Sequence, residues 1–213
     1  MTPLFSQMDK PIRLEVIGLT MSRGENTLFE GLSATVGSGD VLWIQGDNGI
    51  GKTTLLEAMA GLSRPDEGDV FWLENEQPSL ANDLVAYQPH KSFAKAALSA
   101  QEDLSFWAQL YGTAPNVEGA LTYVGLSDRC DVTTQNLSAG QRRRLALATL
   151  IISQKPIWIM DEPSAAMDKS GEDLIDGLIC QHIDRGGIAI IASHDSPRKL
   201  GLNTRKLTLS AAP

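Results

Sequence analysis

The stretch VLWIQGDNGIGKTTLLEAM, residues 41–59, changes character twice. VLWIQ is a continuous apolar run, the pattern of a strand buried on both faces of a parallel sheet. GDNGIGKT is rich in glycine. From Thr53 to Ala60, Leu55, Leu56 and Met59 share a helical face, and Gly61 is placed to end the helix. A strand, a tight loop and a helix in that order predict an α/β fold with a largely parallel sheet. The spacing Gly46-x-x-x-x-Gly51-Lys52-Thr53 suits a loop whose backbone N–H groups converge on phosphate oxygens at a helix N-terminus. Asn48, Gly49 and Thr54 belong to the same lining. Lys52 is then expected to reach the β and γ phosphates of a nucleotide, and Thr53 to ligate Mg²⁺. A purely structural strand-to-helix turn needs none of the Lys-Thr chemistry.

Residues up to Thr35 read as short strands around a Gly24-Glu25-Asn26 turn, an N-terminal β region. SRPDEG is a turn and DVFWL a further strand. From Ser99 to Val124 the period becomes helical, with Leu104, Trp107, Leu110 and Tyr111 on one face. IWIM (157–160) and IAIIAS (188–193) are two more buried strands. The chain, 1–213, is expected to form one domain with a helical subdomain at about 90–137. Its apolar strands each run into polar chemistry: VLWIQ into Gly46, LVAY into Gln88, IWIM into Asp161-Glu162, and IAIIAS into His194. Ligands of open parallel sheets bind outside the carboxyl ends of the strands. Four strands therefore bring candidate groups to one edge.

Composition narrows the partners. A net charge of −8 and a pI near 4.9 argue against nucleic acid as the main partner, since binding its backbone needs a basic face. An anion must be held by a few local groups. Cys130 and Cys180 are too few for a disulfide framework or a metal cluster, which favours a reducing compartment. The start MTPLFSQMDKPIRLEV lacks the apolar stretch of a secretory signal, and no apolar run nears the roughly 20 residues of a membrane span. Attachment to a membrane is expected only through a partner.

Asp161 ends a strand, with Glu162 beside it and Pro163 stopping the run. Asp161 is positioned to hold Mg²⁺ and Glu162 to polarise an attacking water, although a strand-end acidic pair can also be merely solvated. In LSAGQRRRLALA (137–148), Ser138 can cap a helix that begins near Gly140. Arg142, Arg143 and Arg144 then crowd its first turn, against the helix dipole. Hydroxyl, glycine backbone and arginines together suggest an anion site; the alternative is arginines that fan into water or meet acids.

GDNGIGKT, LSAGQ, IWIMDEP, SAAMD and His194, in this order over essentially the whole chain, resemble the ATP-binding subunits of ABC transporters. The resemblance implies a P-loop NTPase that binds ATP and Mg²⁺. It implies that Gln88 senses Mg²⁺, water and a membrane partner, that Asp168 lies at a dimer seam, and that His194 meets the γ-phosphate. It also implies that Ser138, Gly140 and Gln141 act across a homodimer, on the nucleotide of the other subunit. Two positions depart from the family pattern. Ala139 stands where Gly is usual, and Arg23 stands near the position of the aromatic that stacks on adenine. A guanidinium can stack on a flat base, though Arg23 can equally be a turn residue.

RGENTLFEGLS, the stretch around the phosphate loop, LSAGQRRRLALA and DRGGIAIIASH look together like the CcmA family, the ATPases of bacterial cytochrome c maturation. That likeness implies a CcmB-like membrane subunit, further partners CcmC and CcmD, and the haem chaperone CcmE. It places the chain peripherally at the cytoplasmic face of the inner membrane. Haem export and release of haem-loaded CcmE are both open to such a motor. Two rivals remain: an ABC transporter subunit for another solute, and a soluble ABC ATPase working on a macromolecular partner. The second usually carries tandem cassettes, coiled arms or basic surfaces, and a non-hydrolysing module would not need Glu162 and His194 together.

Overall fold

The computed structural model of the chain describes residues 4, 5, 7–90, 94–114, 116–193 and 203–210. The alternation in RLEVIGLTM sends Leu14 and Val16 inward, and it would send Gly18 inward next. Instead Gly18 turns to φ 59°, the ladder slips between Val16 and Leu19, and Leu19 and Met21 are buried while Ile17 is 54% exposed. The bulge re-phases the strand and lets it run on. Thus β1 (Ile12–Arg23) and β2 (Asn26–Gly37) are long strands joined at Gly24-Glu25, rather than the short ones the sequence suggested.

The phosphate-loop region follows as β3 (Val41–Gln45) and α1 (Lys52–Met59). β4 (Glu67–Glu74) and β5 (Gln77–Ser79) complete an antiparallel sheet of order β2-β1-β4-β5. A short α2 (Ala81–Leu84) leads into β6 (Val85–Gln88). The helical region is α3 (Ala100–Tyr111) and α4 (Val117–Tyr123). After it come α5 (Ala139–Ser153), β7 (Ile157–Asp161), α6 (Lys169–Asp184), β8 (Ile188–Ala192) and β9 (Thr204–Thr208). The second sheet, of order β6-β7-β8-β3-β9, is parallel throughout.

β7 shows why that sheet is apolar from end to end. Ile157 and Ile159 pack with Leu14, Leu55, Leu56 and Met59, between the sheet, α1 and the antiparallel sheet. Trp158 and Met160 point the other way, into a cluster with Leu104, Leu121, Leu145 and Leu178 of the helices. Both faces are covered, so every residue of β7 and β8 is buried. Truncating such a side chain, as in Ile159→Ala, costs about 2–5 kcal/mol.

The helical period between Ser99 and Val124 is broken in two. Ser99 caps α3 through a capping box with Glu102, Gly112 ends it at φ 65°, and Asn116 caps α4. Leu104 and Ala108 face the core, whereas Leu110, expected on the same face, is 64% exposed. On the far side of the core, His182 stacks on Trp158 at 3.8 Å. Arg185 donates to its Nδ1 at 2.9 Å, so the ring proton sits on Nε2, facing the carbonyls of Pro156 and Ile188.

Candidate functional site

Parallel pairing of β6, β7, β8 and β3 sends their carboxyl ends to one edge, where a cleft of about 480 Å³ opens. One wall is the glycine loop, whose backbone could take no larger residues at two points. A Cβ on Gly46 would fall 2.8 Å from the Ile50 side chain and 3.1 Å from the Leu209 carbonyl. Gly51, the N-cap of α1, has φ 105° and packs against Leu28. Asn48, Gly49, Gly51, Lys52, Thr53 and Thr54 line the cleft, and Gly46 lies outside its lining.

Lys52 is buried, and its Nζ donates to the carbonyls of Gly46 at 2.7 Å and Asp47 at 3.3 Å. Its charge is therefore held inside the loop by neutral acceptors. Thr53 Oγ1 donates to Asp161 Oδ2 at 2.7 Å, and Asp161 is 2% exposed. A hydroxyl beside a carboxylate is a hard-oxygen pair of the kind Mg²⁺ takes alongside substrate phosphates and water. The donor set fits that ion. Glu162 also lines the cleft, at φ 47°, with its N–H bonded to the Ala192 carbonyl at 2.8 Å. Arg23 and Leu28 form part of the lining from the antiparallel sheet, and Arg23 is exposed.

Other expected residues sit elsewhere. Gln88 is 3% exposed, and neither of its amide atoms has a hydrogen-bond partner among the described residues. It lines a second cavity, of about 510 Å³, between β6 and the helices, and is absent from the lining of the cleft. Its neighbour Tyr87 lines both cavities, which the sequence did not flag because Tyr reads as ordinary strand apolarity. Burial, then the Asp161 and Glu57 carboxylates, push the Tyr87 phenol well above its usual range. His194 lies outside the described residues. Before it, Trp43 Nε1 donates to the carbonyl and hydroxyl of Ser193, at 3.2 and 3.1 Å.

The LSAGQ stretch forms the cap of α5. Ser138 Oγ accepts from the Gln141 N–H at 3.2 Å, and Gln141 Oε1 accepts from the Ser138 N–H at 2.8 Å. This box, with Gly140, lies outside the lining of the chain's own cleft. Each of the three arginines makes hydrogen bonds within the chain. Arg142 donates to the Leu137 carbonyl. Arg144 donates to the Val124 carbonyl at 3.0 Å and to Ser170 Oγ at 2.9 Å. Arg143 is buried and, among the described residues, donates to backbone carbonyls. Acceptors on the peptide backbone were invisible to a reading of charges. Asp168 caps α6 through Gly171 N at 2.9 Å, and this N–H, followed by the Ser170 hydroxyl, holds its carboxyl below the usual range.

Residues 29–165 match the family described as ABC transporter. The protein named cytochrome c biogenesis ATP-binding export protein CcmA from Rhizobium meliloti is 38% identical over 92% of this chain and 98% of its own length. The protein of that name from Vibrio cholerae is 39% identical, again over 92% and 98%, and that from Haemophilus influenzae 40%, over 93% and 96%. Among solved structures, a putative ABC transporter ATP-binding protein from Pyrococcus furiosus superposes with a TM-score of 0.79, at 24% identity, over 92% of this chain and 97% of that one. An ATP-binding cassette solved as a post-hydrolysis dimer with ADP and Pi gives 0.75 at 20% identity, over 85% and 88%. Fold, cleft and sequence agree: the chain belongs to the ABC transporter family, as an ATP-hydrolysing subunit of the CcmA type.

Proposed function

We propose that this chain is the motor of an ABC transporter complex for cytochrome c biogenesis, hydrolysing Mg-ATP to drive haem export or release of the haem-loaded chaperone CcmE. The observation that carries the ATPase chemistry is the meeting of Thr53, Asp161 and Glu162 at one end of the loop that holds Lys52. The names of its relatives support the biogenesis role.

In this reading the loop N–H groups and Lys52 bind the β and γ phosphates, and Lys52 exchanges its carbonyl partners for phosphate oxygens. Thr53 and Asp161 hold Mg²⁺, which when bound draws charge from the phosphate oxygens. Glu162 orients and polarises the attacking water, His194 meets the γ-phosphate, Gln88 senses Mg²⁺, water and the membrane partner from the groove beside the cleft, and Arg23 stacks on the base. Ser138, Gly140 and Gln141 complete the site of a second copy, with Asp168 at the seam. Their place outside the chain's own cleft supports a homodimer.

The second cavity supports a docking site for a CcmB-like membrane subunit. Leu62 and Leu110, 60% and 64% exposed, rim it, Trp107 and Tyr111 form a wall, and the buried Gln88 amide lies within. An apolar segment bearing one hydrogen-bonding group suits that lining. No helix among the described residues is long and apolar enough to cross a membrane. Attachment at the cytoplasmic face of the inner membrane, in company with CcmC and CcmD, then runs through this groove. Deleting the gene should abolish haem staining of c-type cytochromes and leave b-type cytochromes intact. Normal c-type staining, with transport of some other solute lost, would discard the cytochrome role and keep the ATPase.

A further inference from the structure

Arg143 is 6% exposed, although it follows the cap of α5 where an arginine would ordinarily reach solvent. Its guanidinium donates to five carbonyls: Pro89 and His90 at 3.1 Å, Asp161 at 2.9 Å, Pro163 at 3.0 Å, and Glu162. All are neutral acceptors. Burial lowers its pKa, and the Asp161 and Glu162 carboxylates act against that shift. Burying a cation merely to fill space would be costly, and an apolar side chain would do it better. A planar fork of five donors is what the position uses.

Its acceptors fall into two groups. Pro89 and His90 directly follow Gln88, whose amide lies on the groove between β6 and the helices. Asp161, Glu162 and Pro163 form the turn that ends β7. Within that turn Glu162 has φ 47°, a region that costs a non-glycine residue on the order of 1 kcal/mol or more and persists only where its surroundings enforce it. Arg143 grips its carbonyl while Ala192 grips its N–H. The direction of the Glu162 side chain is thus set by two backbone contacts, one of them from the helix that LSAGQ begins.

We propose that Arg143 is a positioning residue, which fixes the Glu162 peptide and ties it to the segment after Gln88, so that a change at the groove moves the glutamate. The proposal rests on the reading of Glu162 as the residue that orients water. Arg143→Lys keeps the charge and most of the stem but loses the fork. In the purified full chain its kcat should fall about 100-fold, the scale of a misplaced reacting group. The KM and dissociation constant for ATP should stay within about threefold, because the Lys52 loop is untouched. Arg143→Gln, measured alongside, should show the same split.

Unchanged kcat in the Lys variant overturns the proposal. So does a joint decline of kcat, ATP affinity and thermal midpoint, or insolubility of both variants, since either makes Arg143 a structural prop. Glu162→Gln is the control. If it turns over normally, the reading of Glu162 has failed; if it is inactive while Arg143→Lys is normal, only the positioning role has failed.

Discussion

Thr53 Oγ1 and Asp161 Oδ2 lie 2.7 Å apart, joining the first turn of α1 to the last residue of β7. The bond ties the two elements together at one end of the cleft. Thr53→Val, which keeps the shape and removes the hydroxyl, leaves a buried carboxylate without that donor. Stability of the nucleotide-free chain should fall by about 1.5–3 kcal/mol. ATP hydrolysis should also need more Mg²⁺. Urea melts and a Mg²⁺ titration of turnover test both, and wild-type behaviour in each would remove Thr53 from the site.

Glu162→Gln should bind ATP normally and hydrolyse it slowly, by a factor on the order of 100 or more. The slowed protein should accumulate as an ATP-held dimer in size-exclusion chromatography. Monomer alone under saturating ATP would argue against nucleotide-driven closure.

If LSAGQ works on the other subunit's nucleotide, two defective chains should repair each other. Lys52→Ala and Ser138→Arg subunits, each inactive alone, should regain hydrolysis when mixed, because one of the two composite sites is intact. Heterodimers that form and stay inactive would place both residues in the same site.

Arg23 offers a sharper test than its exposed position suggests. Arg23→Ala should weaken ATP and GTP binding alike, since stacking is indifferent to base edges, and Arg23→Tyr should retain it. Equal affinity of the Ala variant and wild type would reduce Arg23 to a hairpin residue.

The sequence made the phosphate loop, the strand-end acids and the helix cap legible because each depends on residue type at a fixed spacing. Buried strands were legible for a similar reason, since a sheet covered on both faces leaves little room for polar residues. β9 was not. As an edge strand it carries Arg205 and Lys206, and only Leu207 suggests an interior. The carbonyl clamp of Arg143 was hidden too, because its acceptors are backbone atoms that have no signature in residue identity. Gln88 could be placed at a strand end but not assigned to a cavity, which depends on how the helices lie over β6.

Acid should loosen the far side of the core. Burial, reinforced by the adjacent Arg185 cation, pushes the His182 pKa from 6.5 down to about 3. Its neutral form therefore stabilises the fold fully above about pH 6.5, where the unfolded histidine is also neutral. As pH falls from there towards 3, the unfolded chain binds a proton that the folded one refuses. Stability should decline by up to about 1.4 kcal/mol per pH unit from this group. The urea midpoint of His182→Gln should be lower at pH 7.5 but flatter towards pH 5, and parallel profiles for the two proteins would contradict the assignment.

The two neighbours of β3 in the parallel sheet are β8 and β9, both encoded far downstream of the glycine loop that β3 supports. Gly46 itself packs against Leu209. Synthesis proceeds from the amino end, and distant strand pairing is slow because the intervening chain must first be gathered in. On the ribosome GDNGIGKT thus emerges early yet has no partner strands to hold its shape. A nascent chain that has not yet made β8 and β9 carries the GDNGIGKT motif without the strands that flank β3, so the loop is held in its folded shape only after most of the described chain has been made.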